Sequence, residues 1–190
     1  SSVVIDYRTG YITAMVGGRT APVNQKEYNR AYQSTMPVGS SIKPVTVYGP
    51  ALDLGKSAGT IYYDTRAPIE NWGTDKGYPS NNGESGYTGS VTMRYAIEKS
   101  LNTTAAQALI YDVGIDTAVS YLTAMNINPD HINADGPGLA LGTSGLTPLE
   151  MATCFATIAN MGTYLQPISF TKITDSQGNV ILDMVEKQET

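Results

Sequence analysis

The sequence has too few cysteines and histidines for several common kinds of site. It contains one cysteine, Cys154, and one histidine, His131. A single cysteine excludes an internal disulfide, and one cysteine with one histidine argues against a zinc site of the usual composition. Cys154 falls in an apolar helical pattern and is expected to be a core thiol. His131 falls in a polar loop and is expected to be exposed, which argues against a Ser-His-Asp triad. We expect no metal and no cofactor.

Long apolar runs and an excess of positive charge are also lacking. No run reaches the ~18 apolar residues of a membrane span, and no signal peptide opens the chain. Residue 1 leads directly into a strand pattern, so we expect the chain to begin inside a longer protein. Lys and Arg number 12 against 17 Asp and Glu, a net charge of −5, which argues against nucleic acid as a partner. With 190 residues, 41% of them hydrophobic, the chain can form one domain or most of one.

The order of apolar and turn-forming residues predicts an α+β fold. Thr147 and Glu150 form a capping-box pattern with proline at the first helical position. Asp116 is expected to cap an earlier helix, and Pro50 to kink or shorten the helix that contains it near Gly49. The predicted elements are a hairpin at residues 3–16, helices at 40–55, 93–99, 104–113, 116–124 and 148–161, a long loop region at 56–91 and a second hairpin at 168–184.

Ser40 and Lys43 form the pattern that carries most chemical information. A serine hydroxyl is a weak nucleophile and needs a base within hydrogen-bond reach. Residues three apart at a helix start share one face, so the spacing places the amine beside the hydroxyl. The positive end of the helix dipole also favours an anion that develops at Ser40. Because a free lysine has a pKa of about 10.4, Lys43 can act as a base near neutral pH only if desolvation or nearby positive charge lowers that pKa.

The same spacing occurs a second time, at Ser169 and Lys172. That copy lies in an alternating segment predicted to be a strand, where positions three apart point to opposite faces. The second copy is therefore expected not to form a pair, and it indicates how easily chance produces the pattern.

Ser100 and Asn102 form a second polar element, in a short break between two predicted helices. A hydroxyl there can relay a proton, and an amide can hold a peptide group. By itself the element is better explained as a helix-capping break. A similar triplet, Ser80-Asn81-Asn82, lies in the loop-rich stretch and is expected to have no frame that positions it.

The combination of these elements resembles the class A, bifunctional penicillin-binding proteins. Ser-x-x-Lys and Ser-x-Asn are motifs of penicillin-binding proteins and class A β-lactamases. The resemblance follows the family's order along essentially the whole chain. It is carried by Ile5-Asp6 with the Gly17-Gly18 hairpin end, by Asn29-Arg30-Ala31 before Gly39-Ser40, by Lys43-Pro44, by the 89–97 segment before Ser100-Leu101-Asn102, and by Leu141-Gly142 with the 146–152 segment.

The resemblance implies a peptidoglycan D,D-transpeptidase with an antiparallel sheet and helices on both faces. Ser40 would attack the D-Ala-D-Ala bond of a stem peptide, and Lys43 would be the base. Ser100 would relay protons, and Asn102 would hydrogen-bond the substrate. β-Lactam antibiotics would acylate Ser40. The domain would lie on the extracytoplasmic face of the bacterial cell membrane, anchored by an upstream segment outside this chain.

The sequence departs from the family in lacking the third motif, Lys-Thr-Gly, whose strand would follow the second hairpin. Arg8-Thr9-Gly10 is the nearest match and is expected to be only a hairpin turn. We therefore expect residues 1–190 to be the N-terminal and central part of one transpeptidase domain, with the C-terminal strands missing. We also expect this part to depend on a C-terminal segment that carries Lys-Thr-Gly. That strand would supply a cation and one oxyanion donor, and loss of one such donor costs about 10²–10³ in rate.

Two alternatives share the residues around Ser40. A serine β-lactamase needs a glutamate that activates a deacylating water, and Glu150, the one glutamate between Ser100 and the final residues, is explained by the capping box. A β-lactam or peptidoglycan sensor would use acylation as a signal, and only attached domains would distinguish it from an enzyme.

Overall fold

The structure is a computed structural model, and it describes residues 1–66, 79–82 and 86–190. Helices and strands are interspersed along the chain, which confirms the α+β class. In chain order they are β1 (Ser2–Asp6), β2 (Tyr11–Val16), α1 (Arg30–Gln33), β3 (Met36–Pro37), α2 (Gly49–Asp53), β4 (Ile61–Asp64), β5 (Gly89–Thr92), α3 (Met93–Glu98), α4 (Asn102–Gln107), α5 (Ile115–Ala124), α6 (Gly136–Leu141), β6 (Gly145–Leu146), α7 (Pro148–Ala159), β7 (Lys172–Thr174) and β8 (Val180–Asp183).

The chain forms two compact units. The first consists of Ser1–Met36, Ala124–Ile127 and Leu146–Thr190, and the second of Pro37–Thr123 and Asn128–Gly145. Within the ranges that the structure describes, no helix is both long enough and apolar enough to cross a membrane.

The first unit contains the two predicted hairpins and the capped helix α7. Strands β1 and β2 pair antiparallel, with a register shift after Val4, and β7 pairs antiparallel with β8. Helix α7 packs against β1. Its capping box is present as predicted, because Glu150 accepts from the Thr147 amide at 2.8 Å and Thr147 Oγ1 accepts from the Glu150 amide at 3.1 Å. The helix ends at Ala159, slightly earlier than predicted.

The second unit is built around α4, whose residues Thr103, Thr104, Ala105 and Ala106 are all buried. These small side chains allow β4, α3 and α6 to pack closely against α4. The apolar core of this unit is filled mainly by residues of the helical segment after Ser40, of the π-helical stretch Ala108–Val113 that follows α4, and of α5 and α6: Ile42, Val45, Val47, Tyr48, Ala51, Leu109, Leu122 and Leu139.

The prediction of a continuous loop over residues 56–91 is wrong at both ends. Strand β4 begins at Ile61 and pairs antiparallel with β5, which begins at Gly89. The short β-rich run Ile61-Tyr62-Tyr63 was hidden in a stretch of polar composition. Residues 67–78 and 83–85 of the same prediction lie outside the described residues.

The helix does not end near Gly49, so one of the two effects predicted for Pro50 is wrong; the other, a kink, stays a prediction. Helical structure continues through Pro50 to Asp53, and the hydrogen-bond pattern changes from π-helical to α-helical at Gly49, directly before the proline. Two other predictions also need correction. Asp116 lies inside the first turn of α5 and not at its cap, and His131 is half-buried in a 3-10 turn, Pro129–His131.

Candidate active site

Ser40 and Lys43 lie in one helical segment whose hydrogen-bond pattern changes twice. The segment starts as a 3-10 turn, Gly39–Ile42, in which the Lys43 amide donates to the Ser40 carbonyl. It continues as a π-helical stretch, Pro44–Tyr48, and then as α2. The helix start predicted at Ser40 is therefore confirmed to within one residue. The 3-10 turn places Ser40 one turn before Lys43 on the same helical segment.

A close approach between two glycines anchors the turn that carries Ser40. The Gly39 amide donates to the Gly142 carbonyl at 2.9 Å, and the Val38 amide donates to the Ser144 carbonyl at 3.3 Å. Gly142 ends α6 with a φ of +84°, and a Cβ atom there would lie 2.0 Å from the Gly39 carbonyl oxygen. Only glycine fits this position, since any side chain would push the Ser40 turn away.

The amine of Lys43 is buried among oxygen atoms of the second motif. The residue is 2% exposed. Its Nζ lies 2.7 Å from the Ser100 carbonyl, 3.3 Å from Ser100 Oγ, 3.3 Å from the Leu101 carbonyl and 2.6 Å from Asn102 Oδ1. The helical segment after Ser40 and the α3–α4 break thus meet at one amine, an arrangement that the family resemblance implied and the spacing within each motif did not.

Burial lowers the pKa of Lys43 to about 8. Desolvation disfavours the charged amine, and the oxygen atoms around Nζ belong to neutral groups. A lysine with this pKa is partly neutral near pH 7, so it can accept a proton from a neighbouring hydroxyl.

Ser100 reaches Lys43 because its backbone is left-handed, with a φ of +52°. This conformation costs a non-glycine residue about 1–3 kcal/mol. It ends α3 and turns both the carbonyl and the hydroxyl of Ser100 toward Nζ. The observed strain therefore falls on a residue predicted to be functional.

The side chain of Asn102 is held at both ends of its amide. Oδ1 accepts from Lys43 Nζ at 2.6 Å, and Nδ2 donates to the Ser80 carbonyl at 2.8 Å. An amide nitrogen carries two hydrogens. The second makes no hydrogen bond to a described residue, which leaves it able to donate to a substrate carbonyl.

The Ser80-Asn81-Asn82 triplet, predicted to lack a frame, is fixed against the second motif. Asn81 Oδ1 accepts from the Asn102 amide at 2.8 Å, and Asn81 Nδ2 donates to Asp64 Oδ1 at 2.6 Å. Sequence reasoning missed both Asp64 and Asn81. One signal was available: Leu101 precedes α4 and offers no side-chain cap, so that helix start needs an acceptor from elsewhere.

Ser40 itself is exposed, and its hydroxyl makes no hydrogen bond to any described residue. The neighbouring Ser41 hydroxyl instead donates to the Val38 carbonyl at 2.6 Å. Of the four predicted site residues, the structure thus joins Lys43, Ser100 and Asn102 by hydrogen bonds and places Ser40 one turn from Lys43. Its role as nucleophile stays a prediction.

The other sequence patterns considered as possible sites do not contribute to this one. Lys172 Nζ pairs with Asp183 at 2.8 Å, so the second Ser-x-x-Lys copy does not form a serine–lysine pair. Arg8-Thr9-Gly10 lies in the turn of the first hairpin, as predicted. Cys154 is buried, and burial raises the pKa of its thiol to about 12, which makes it unsuited to be a nucleophile. Over the described ranges, no three His, Cys, Asp or Glu side chains are grouped to hold a metal ion.

Comparison with known proteins identifies the family. The family model described as "Penicillin binding protein transpeptidase domain" matches residues 1–190. Penicillin-binding protein 1F of Bacillus subtilis is 37% identical over 190 residues, covering 98% of this chain and 25% of that protein. The crystal structure of penicillin-binding protein 1A from Haemophilus influenzae has a TM-score of 0.81 at 33% identity, covering 95% of this chain and 26% of that chain. The chain belongs to the penicillin-binding protein transpeptidase family.

The fold is shared more widely within the family. The penicillin G acyl-enzyme complex of penicillin-binding protein A from Mycobacterium tuberculosis has a TM-score of 0.77 at 23% identity and covers 95% of this chain and 50% of that one. The chain spans about a quarter of the length of the curated relatives it matches, for example 23% of penicillin-binding protein 1A of Clostridium botulinum.

Proposed function

We propose that this chain carries the nucleophile, the base and the proton relay of a peptidoglycan D,D-transpeptidase. The observation that carries the proposal is the buried amine of Lys43. Its Nζ lies 3.3 Å from the Ser100 hydroxyl and 2.6 Å from the side-chain oxygen Oδ1 of Asn102. A buried base with a lowered pKa, one turn from an exposed serine, is the arrangement that activates a hydroxyl for acyl transfer.

In the first half of the reaction, Ser40 Oγ attacks the carbonyl carbon of the penultimate D-Ala in a stem peptide. The hydroxyl proton passes to the neutral amine of Lys43 as the C–O bond forms. The peptide C–N bond then breaks, and the terminal D-Ala nitrogen receives a proton from Lys43 through the Ser100 hydroxyl. D-Ala leaves, and Ser40 holds the stem peptide as an ester.

In the second half, the amine of a neighbouring stem peptide attacks the ester carbonyl. Its proton returns through Ser100 and Lys43 to Ser40 Oγ as the ester bond breaks, and the new amide bond cross-links two peptides. A β-lactam enters the first half in the same way. Its leaving nitrogen remains tethered to the acyl group, which favours a long-lived acyl-enzyme on Ser40.

The rest of the proposal concerns the parent protein. Residues 1–190 would form the N-terminal and central part of the transpeptidase domain, with a Lys-Thr-Gly segment supplied by another part of the polypeptide. The domain would act on the extracytoplasmic face of the bacterial membrane. The relatives named penicillin-binding protein 1A and 1F support this proposal.

The test is a transpeptidation assay on the full-length protein with a stem pentapeptide donor and an amine acceptor. We expect release of D-Ala and a cross-linked product, both lost in Ser40→Ala. Acylation by penicillin without any peptide product would favour a sensor. Rapid turnover of penicillin would favour a β-lactamase. Either result would contradict the proposal.

A further inference from the structure

A buried carboxylate lies behind the second motif and does not touch the candidate catalytic residues Ser40, Lys43 and Ser100. Asp64, the last residue of β4, is 0% exposed. Its Oδ1 accepts from Thr103 Oγ1 at 2.6 Å and from Asn81 Nδ2 at 2.6 Å, and its Oδ2 accepts from the Thr88 amide at 2.8 Å. Burial acts to raise the pKa of Asp64, but these hydrogen bonds outweigh burial and the pKa is lowered. The carboxylate is therefore ionised and acts only as an acceptor.

Asn81 transmits this anchor to the start of α4. Its Oδ1 accepts from the Asn102 amide at 2.8 Å and from the Thr103 amide at 3.4 Å. Amides in the first turn of a helix have no acceptor within the helix, and Leu101 at the cap position has no side-chain oxygen to offer. Asn81 thus caps α4 from a distant part of the chain.

The orientation of the Asn81 amide is forced by its two partners. The Asp64 carboxylate can only accept, and the Asn102 amide can only donate. A flipped Asn81 would place a carbonyl against the carboxylate and an NH₂ group against a backbone N–H. Asp64 therefore fixes which way Asn81 faces, and Asn81 fixes where Asn102 begins the helix.

We propose that Asp64 and Asn81 are positioning residues of the transpeptidase site, which hold the second motif on Lys43. The chain of contacts runs from Asp64 through Asn81 to Asn102, whose Oδ1 lies 2.6 Å from Lys43 Nζ. The inference rests on the proposed function, because it assigns these residues a role in that reaction. Misplacement of a reacting group by about 1 Å can cost about 10² in rate, so a loose second motif slows acylation without abolishing penicillin binding.

The test exchanges the two side chains in the full-length protein and measures penicillin acylation, with the limiting rate constant separated from the binding constant. In Asp64→Asn, the amide nitrogen introduced at position 64 meets a donor in either orientation, because it faces either Asn81 Nδ2 or the Thr88 amide. The neutral amide is also a weaker acceptor than the carboxylate, so the contact that holds Asn81 is weakened or lost. We expect the limiting rate constant to fall about 10–100-fold, with little change in binding. In Asn81→Asp, two carboxylates meet, and a similar loss is expected.

The double exchange, Asp64→Asn with Asn81→Asp, restores complementarity. The amide nitrogen introduced at position 64 can donate to the carboxylate introduced at position 81 and to the Thr103 hydroxyl. The amide oxygen at position 64 can accept from the Thr88 amide, and the carboxylate at position 81 can accept from the Asn102 amide. We expect the rate constant to return to about that of the wild type, so the two effects are not multiplicative. A purely destabilising effect of each substitution would accumulate in the double variant instead.

Asp112→Asn is the matched control. Asp112 is another poorly exposed carboxylate of this unit, with Lys56 Nζ at 2.6 Å and the Tyr62 hydroxyl at 2.8 Å. It should lower the unfolding temperature without changing the acylation rate constant. Wild-type rates in Asp64→Asn, or no recovery in the double variant, would overturn this inference while the proposed function stands. Failure of penicillin to acylate the wild type would overturn both.

Discussion

The lowered pKa of Lys43 predicts how acylation depends on pH. Burial takes that pKa from 10.5 to about 8, a shift that corresponds to about 3 kcal/mol. At pH 7 about one amine in ten is then neutral, against about one in 3,000 for an ordinary lysine. The structure therefore raises the amount of usable base by about 300-fold.

The rate of acylation should follow the neutral amine. It should increase by about tenfold between pH 6 and 7, level off above pH 8, and gain about 90-fold in all between pH 6 and 9. The assay is the limiting rate constant for a fluorescent penicillin on the full-length protein, at constant ionic strength.

Lys43→Arg is the control, since a guanidinium keeps its proton over the whole range. It should lower the rate by about 10²–10⁴ and remove the break near pH 8. Two results would refute the reasoning. A flat wild-type profile would mean that Lys43 is not the base, and a tenfold rise per pH unit that continues through pH 9 would mean that burial does not lower its pKa.

Three further predictions concern other parts of the chain. Gly142→Ala should destabilise the protein by at least about 2 kcal/mol and slow penicillin acylation about tenfold or more, because its Cβ would lie 2.0 Å from the Gly39 carbonyl oxygen; wild-type acylation would contradict the anchoring of the Ser40 turn. Thr147→Ala should cost about 1 kcal/mol in urea unfolding through loss of the capping box, with acylation unchanged, and no loss of stability would show that the cap contributes nothing. Cys154 should not react with a thiol reagent at pH 8 until the protein unfolds, and fast labelling of the native protein would contradict its burial.

Much of the fold could be predicted because it depends on local chemistry. The first hairpin, the capping box at Thr147 and the helix start at Ser40 follow from turn residues, capping and short-range periodicity. That Lys43 acts together with the second motif was implied by the family resemblance, since helical spacing concerns only Ser40 and Lys43. In the structure Ser100 has a left-handed backbone, and its carbonyl oxygen and hydroxyl both contact Lys43 Nζ. This geometry depends on how α3 and α4 pack.

The features that could not be predicted depend on contacts between distant residues. Strand β4 is too short for its periodicity to stand out, and its pairing with β5 spans the loop-rich stretch. The Ser80-Asn81-Asn82 triplet has no local signal of order, because its frame is the Asp64 carboxylate and the start of α4. Asp64 could not be predicted as a buried acid for the same reason, since its partners are distant in sequence and the residues around it are polar.

The central claim is that Ser40 is the nucleophile, and mapping of the penicillin adduct tests it most directly. The full-length wild type, Ser40→Ala and Ser41→Ala would be incubated with penicillin, and intact mass and peptide mapping would locate the adduct. Ser41 is the matched control, since its hydroxyl donates to the Val38 carbonyl. We predict a stable adduct on Ser40 in the wild type and in Ser41→Ala, and none in Ser40→Ala. An adduct that persists in Ser40→Ala, or that maps to another residue, would contradict the account.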